Sequence, residues 1–326
     1  MKKSNFIIIS LFLIFLGFIL SMSIGPIEVS AKDIYNSIFN FTGTKAENAI
    51  ITVRLPRFLL SILIGVSLAV SGAIMQGLTN NPLASPQLIG ANSGAALFVV
   101  FFIYIFGGKS SLSITMIGFL GSLVGGVTVY TLCGKDFSPI KLSLAGLSVH
   151  LLLSSITQGI IIINSRVKDN IIFWLVGSLD KAKLDYMTYN YTFLFIIIFI
   201  CIFAGKKLDM LSLGDEVALS LGENIRIIKI FYMFMALLLT GFSVALAGPV
   251  GFVGLVIPNM VKIALSDRKR DIMIYSALGG ALLLIYSDII SRLISYPFET
   301  PVGIATAMVG APYFLWLCKR RNKSEK

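Results

Sequence analysis

The sequence predicts an all-α, polytopic membrane protein of about ten spanning helices forming one transmembrane domain, residues 1–326. Three observations carry this. Hydrophobic residues make up 56% of the chain and charged residues only 13%, where a soluble domain carries about a quarter charged. Apolar windows of bilayer-spanning length recur from one end to the other. A Gly/Ala/Ser-rich stretch also occurs twice, each copy followed by proline breaks.

The windows fall at about 5–24, 57–77, 88–107, 112–132, 142–163, 188–205, 227–247, 250–265, 271–292 and 302–318. The first, Phe6 to Leu20 after Met-Lys-Lys, resembles a signal peptide with Val29-Ser30-Ala31 as cleavage site. Its apolar core is long for a signal, and the other spans orient well if it stays. With the N-terminus inside, seventeen of the 27 Lys and Arg residues fall in cytoplasmic segments and ten in outer ones. That asymmetry predicts both termini in the cytoplasm of a multi-pass cell-membrane protein. It also accounts for the net charge of +11 without nucleic acid as a partner. The Phe173–Ser178 segment, carrying Trp174, is too short to span and reads as an interfacial helix with Trp174 at headgroup level.

The repeat pairs Gly65-Val66-Ser67-Leu68-Ala69-Val70-Ser71-Gly72 with Gly241-Phe242-Ser243-Val244-Ala245-Leu246-Ala247-Gly248. Breaks follow at Pro82 and Pro86, then at Pro249 and Pro258. An offset of five spans makes the copies antiparallel. Inverted repeats with broken segments in matching places mark a transport pathway; two packed small-residue helices can also look alike by chance.

No enzymatic constellation is present. Gly107-Gly108-Lys109-Ser110 resembles the end of a phosphate loop, but Ile103 stands where that pattern needs glycine. Cys133, Cys201 and Cys318 show neither disulfide nor zinc spacing, and one histidine, His150, makes no multi-histidine site. No metal or cofactor is therefore expected on this chain. Asp288 is the one plausible carboxylate for an ion-coupled secondary transporter, the rival class.

Two surface features remain. In the cytoplasmic loop 206–226, Leu213, Val217 and Leu221 recur on one helical face, with Asp215 and Glu216 away from it. Such a helix fills a groove in a partner or folds back on its own bundle. Arg54 and Arg57, bracketing Pro56, sit at the outer mouth of the second helix, and Arg292 at the outer end of the ninth. They read as snorkelling anchors or as a bidentate grip on carboxylates; Arg292 also has Asp288 one turn earlier.

Arg54-Leu55-Pro56-Arg57, Ser71-Gly72-Ala73, Gln76 and Asn81-Pro82-Leu83-Ala84 resemble the FecCD/BtuC-type permeases of iron-siderophore, haem and cobalamin ABC importers. The resemblance continues through Trp174-x-x-Gly177-Ser178, Leu213-Gly214 to Leu221-Gly222, Gly248-Pro249-Val250-Gly251 and Phe252-Val253-Gly254-Leu255. It closes with Glu299-x-Pro301-x-Gly303 and Gly310-Ala311-Pro312-Tyr313-Phe314.

It implies a BtuC-like fold and a second permease subunit, identical or related. Two ATPase subunits that bind ATP and Mg, and an extracellular substrate-binding (lipo)protein, complete the implied assembly. Arg54, Arg57 and Arg292 then receive carboxylates of the binding protein. Leu213, Gly214, Asp215, Glu216, Val217, Ala218, Leu221 and Gly222 couple to the ATPase. Asn81, Pro82 and Leu83 narrow the path, with Pro249, Pro258 and Asn259 along it. The family usually has Pro-His with arginine three residues on, where this chain has Pro258-Asn259 and Lys262. The reading implied is import of a ferric siderophore by alternating access, with haem and cobalamin as alternatives.

Overall fold

One helix, Leu55–Thr79, runs through the middle of the bundle because small residues line most of its circumference. Buried positions make up 78% of its apolar window, against 22% for Lys3–Ser23 and 17% for Ile140–Ile163, which ride at the periphery. The computed structural model describes residues 3–107, 111–134, 139–164, 171, 174–180, 184–210, 224–294, 296 and 298–324. Among these are twelve α-helices and no strand.

In chain order they are α1 (Lys3–Ser23), α2 (Ala31–Phe39), α3 (Lys45–Ala49), α4 (Leu55–Thr79), α5 (Ala91–Phe106) and α6 (Ser111–Cys133). There follow α7 (Pro139–Ile163), α8 (Leu184–Met210), α9 (Ile225–Ala247), α10 (Val253–Ala264), α11 (Lys269–Ile294) and α12 (Val302–Ser324). The ten apolar windows thus each hold a helix. Among the described residues, six helical stretches are long and apolar enough to cross a membrane, and α5, α10 and the apolar part of α12 are shorter. The short α2 is closed by a capping box in which the Ser30 hydroxyl and N–H hold the Asp33 carboxyl below its ordinary range.

Around α4 pack α8, α9, α10 and α11, with α11 its principal neighbour. The α4–α11 crossing is close because Gly65 and Gly280 face each other; a Cβ at Gly65 would lie 2.3 Å from the Gly280 carbonyl oxygen. Small residues at such crossings let backbones approach, which is how helices associate where lipid offers no hydrophobic drive. Ser71 on α4 bonds Thr240 on α9 (2.7 Å) and donates to the Ala236 carbonyl (3.0 Å). Interhelical bonds of this kind contribute about 0.6 kcal/mol each.

Two ends of the bundle are distinct. At one, α1 finishes beside α11, since Arg292 donates to the Ser21 carbonyl, and α4 begins beside the same turn of α11, since Arg57 pairs with Asp288. At the other, Lys3 pairs with Asp271, and the Lys269 N–H donates to Asp209 near the end of α8. Helix α12 departs from the arginine end after Glu299 and runs away from it, so α1 begins and α12 finishes on the same side. The chain leaves the described residues at Met210 and returns at Asn224, whose side chain caps α9, also on that side. The sequence-predicted coupling residues, Leu213 to Gly222, lie outside the described residues, as does the Gly108-Lys109-Ser110 stretch.

Candidate functional site

The two repeat copies end in breaks that meet inside the bundle. Helix α4 stops at Asn80, which takes the left-handed conformation (φ 48°) that asparagine tolerates at a helix end. The Asn81 side chain then accepts from the Leu83 N–H (3.0 Å), making an Asx turn through Pro82. The next helical residues, Pro86–Ile89, form only a 3₁₀ turn. The third span therefore starts at Ala91, and the predicted start at residue 88 is corrected: Gly90 (φ 76°) intervenes.

In the second copy, α9 stops at Gly248 (φ 71°), Pro249 follows, and α10 restarts only at Val253. Twelve residues of α10 span about 18 Å at 1.5 Å each, well short of a hydrocarbon core of about 30 Å. Phe252 caps it at φ 67°, a conformation that costs a bulky residue about 1–2 kcal/mol. Gly310 on α12 makes room for it, since a Cβ there would lie 2.3 Å from Phe252 Cβ.

The breaks touch at Gly254. A Cβ on Gly254 would lie 2.6 Å from the Leu68 carbonyl oxygen and 2.7 Å from Pro86 Cγ. Leu68 is near the middle of α4, so Pro86 and the start of α10 lie at mid-depth, although α4 itself runs on to Asn80 beside Lys269. Gln76 further secures the junction by donating to the Leu255 carbonyl (3.0 Å). Pro258 is buried inside α10. Asn259 is also buried, and its Nδ2 has no hydrogen-bond partner within the described protein.

Beside this junction lies a cavity of about 450 Å³. Its wall takes Ser85 and Gln87 from the first break, Pro249 from the second, Asn92 and Ser93 from α5, and His150, Ser154, Thr157 and Gln158 from α7. Among the described residues, no carboxylate, lysine or arginine lines it, and His150 is its one titratable group. Sequence reasoning placed Pro249 on the path but not the α7 hydroxyls and amide. The clue available was Ser154, Thr157 and Gln158 recurring on one face of an otherwise apolar span.

The Trp174 expectation is corrected. Trp174 is buried with Ala95, Val99, Val100, Ile171 and Val244 instead of sitting at a headgroup boundary. Its segment threads between the end of α9 and the start of α12. Ser178 donates to the Ala247 carbonyl (2.8 Å), and the Gly303 N–H donates to Gly177 (3.2 Å). A Cβ on Gly248 would lie 2.0 Å from the Trp174 carbonyl oxygen, and one on Gly303 1.8 Å from that of Val176. Three motifs far apart in sequence are glycine-paved sides of one junction.

The three predicted arginines gather at one end. A π-helical turn, Ile50–Arg54, precedes α4 and absorbs Pro56, whose ring and missing N–H a regular helix would not accommodate. Arg54 donates to the Met22 and Ile27 carbonyls. Arg57 pairs through Nε with Asp288 (2.7 Å) and through Nη1 with Glu299. Arg292 pairs with the other oxygen of Asp288 and bonds Ser21. All three arginines are buried, so the snorkelling-anchor reading is corrected: these guanidiniums turn inward. Burying charge is costly unless it is paired. Asp288, held between two arginines, is committed to that pairing.

A helical bundle whose paired breaks meet at mid-depth beside a cavity lined by hydroxyls and amides is the architecture of a membrane transport permease. A family model described as the FecCD transport family matches residues 13–320. The chain is 41% identical over 314 residues to the Fe(3+)-citrate import system permease protein YfmD of Bacillus subtilis, covering 96% of this chain and 94% of that one. It is 36% identical to the probable siderophore transport system permease protein YfiZ of the same organism, over 93% and 92%. Identity to the hemin transport system permease protein HmuU of Yersinia pestis is 34%, over 98% and 96%. A solved structure described as an inward-facing metal-chelate type ABC transporter superposes with a TM-score of 0.87 at 25% identity, covering 98% of this chain and all of that one. The chain belongs to the FecCD transport family and is a permease subunit of that class.

Proposed function

We propose that this chain forms half of the membrane path of an ATP-driven importer for a ferric siderophore or a similar iron chelate. The observation that carries it is the cavity where the two breaks meet. Its hydroxyl and amide lining suits a hydrated chelate that must be released again, because it offers hydrogen bonds without fixed charge. The relatives named for ferric citrate, siderophore and hemin import support an iron complex as the cargo.

A second permease subunit, identical or related, completes the path. The peripheral α7 presents an apolar stripe of Leu144, Leu147 and Leu151 next to the cavity, available to it. Two ATPase subunits supply the driving force through residues 213–222, and an extracellular binding protein delivers cargo to the end carrying Arg54, Arg57 and Arg292. The end holding Lys3, Asp271 and both termini then faces the cytoplasm. Asn81, Pro82 and Leu83 narrow the route there.

The test is uptake of iron-55 siderophore in cells relying on this permease. Inactivating the hydrolytic residue of the partner ATPase is expected to abolish uptake, while a protonophore at constant ATP leaves the initial rate intact. The opposite pair of outcomes would establish an ion-coupled carrier instead. Within the permease, Ser154→Trp, which fills the cavity from α7, is expected to remove most uptake without altering assembly. Undiminished uptake by that variant would move the path elsewhere.

A further inference from the structure

At the arginine end, three guanidiniums (Arg54, Arg57 and Arg292) stand against two carboxylates, Asp288 and Glu299. The two carboxylates are not equivalent. Asp288 is 2% exposed and bonded on both oxygens to different arginines, so it is part of the framework. Glu299 is 40% exposed, lies in the connection before α12, and among the described residues touches the cluster through Arg57. Arg57 itself is 4% exposed. Solvent, or anything arriving from outside the bundle, meets this cluster through the Glu299 carboxylate.

We propose that Glu299 is an internal stand-in for a visiting carboxylate. It occupies Arg57 while the permease is undocked and gives way to an acidic side chain of the extracellular binding protein when that protein docks. The proposal rests on the reading that these arginines receive the binding protein. Exchange is chemically balanced, since one carboxylate replaces another on the same guanidinium. With Glu299 swung away, three guanidiniums face Asp288 alone, and the incoming acid restores the charge balance that Glu299 had supplied. The visiting acid must be supplied by a partner able to reach a half-exposed position, which fits a charged side chain on a docked protein surface. Internal competition of this kind lowers docking affinity and speeds release of the emptied binding protein.

The experiment uses the full permease–ATPase complex in lipid nanodiscs and the purified, chelate-loaded binding protein that supports uptake through it, with affinity read by surface plasmon resonance. Arg57→Gln is expected to weaken binding at least roughly tenfold, the scale of one lost charge-assisted hydrogen bond. Glu299→Gln, an isosteric change at an exposed position, is expected to tighten binding by about tenfold, by the same reasoning. Glu299→Ala should act in the same direction, and neither change should matter in an Arg57→Gln background. Unchanged or weaker binding by Glu299→Gln, with Arg57→Gln still weakened, leaves the docking reading standing and overturns the stand-in. Unchanged binding by Arg57→Gln overturns the docking reading and the stand-in with it. Equal thermal midpoints for wild type and Glu299→Gln separate these effects from misfolding.

Discussion

Asp288→Ala is expected to lower the thermal midpoint of the detergent-solubilised permease sharply and to deplete the folded protein in membranes. The carboxylate is 2% exposed and is the sole acidic partner of Arg292 among the contacts at that site, as well as one of two for Arg57. Removing one member of a buried ion pair costs about 3–5 kcal/mol, because the remaining charge stays desolvated without compensation. Asp288→Asn keeps two hydrogen-bond acceptor or donor positions without the charge and should fall between. Removing both partners together, as in Asp288→Ala with Arg292→Met, should recover part of the loss, since apolar replacement of a whole buried pair is often neutral. A single mutant that melts with the wild type would show the cluster to be solvated and inconsequential. This expectation also bears on docking tests: charge reversal at Arg57 disrupts the framework as well as the surface, so the neutral, planar glutamine is the cleaner probe.

Gly72→Ala is the second change expected to act strongly. An ideal Cβ at Gly72 would lie 1.9 Å from the Gly254 carbonyl oxygen and 2.4 Å from its Cα, both backbone atoms of α10. No rotamer relieves such a clash; α10 must move away from α4 or the mutant must fold differently. Overpacking of a tight interior costs about 1–3 kcal/mol, occasionally more, and here it also displaces Pro86 and the Gln76 bond to Leu255. The matched control is Gly159→Ala on α7, where no described atom lies within 4 Å and alanine is the better helix former. Size-exclusion profiles and thermal midpoints should separate the two variants clearly. Equal behaviour would show that α10 is not seated against α4 as described.

Much of this architecture was legible in the chain because each signal was local. Apolar windows located ten helices, since a span must satisfy its own backbone within a fixed thickness. The four-residue spacing of Asp288 and Arg292 announced their pairing. What escaped prediction depended on contacts between distant residues. Nothing near Trp174 reveals that Ala95, Val99 and Val244 will enclose it. Arg57 and Glu299, 242 positions apart, are brought together only when α4, α11 and the approach to α12 have packed. The 3₁₀ turn at Pro86–Ile89 reads as span in a hydropathy window, because Leu88 and Ile89 are as apolar as the helix that follows. Pro249 could be placed on the path from its break alone, whereas the Ser154, Thr157 and Gln158 face of α7 acquired meaning only once the cavity was visible.

The glycine contacts have a mechanical corollary. Where Gly65 meets Gly280, Gly94 meets Gly121 and Gly90 meets Gly125, peptide backbones abut directly, and no side chain is available to swing aside and permit sliding. Those crossings behave as welds: α4 with α11, and α5 with α6, travel as solid blocks. At Gly159 of α7, by contrast, no described atom lies within 4 Å of an added Cβ, and the outward face of that helix is clad in leucines that repack at little cost. Shape change should therefore come most easily where α7 rests on α5 and α6, with each welded pair moving as one piece beside it.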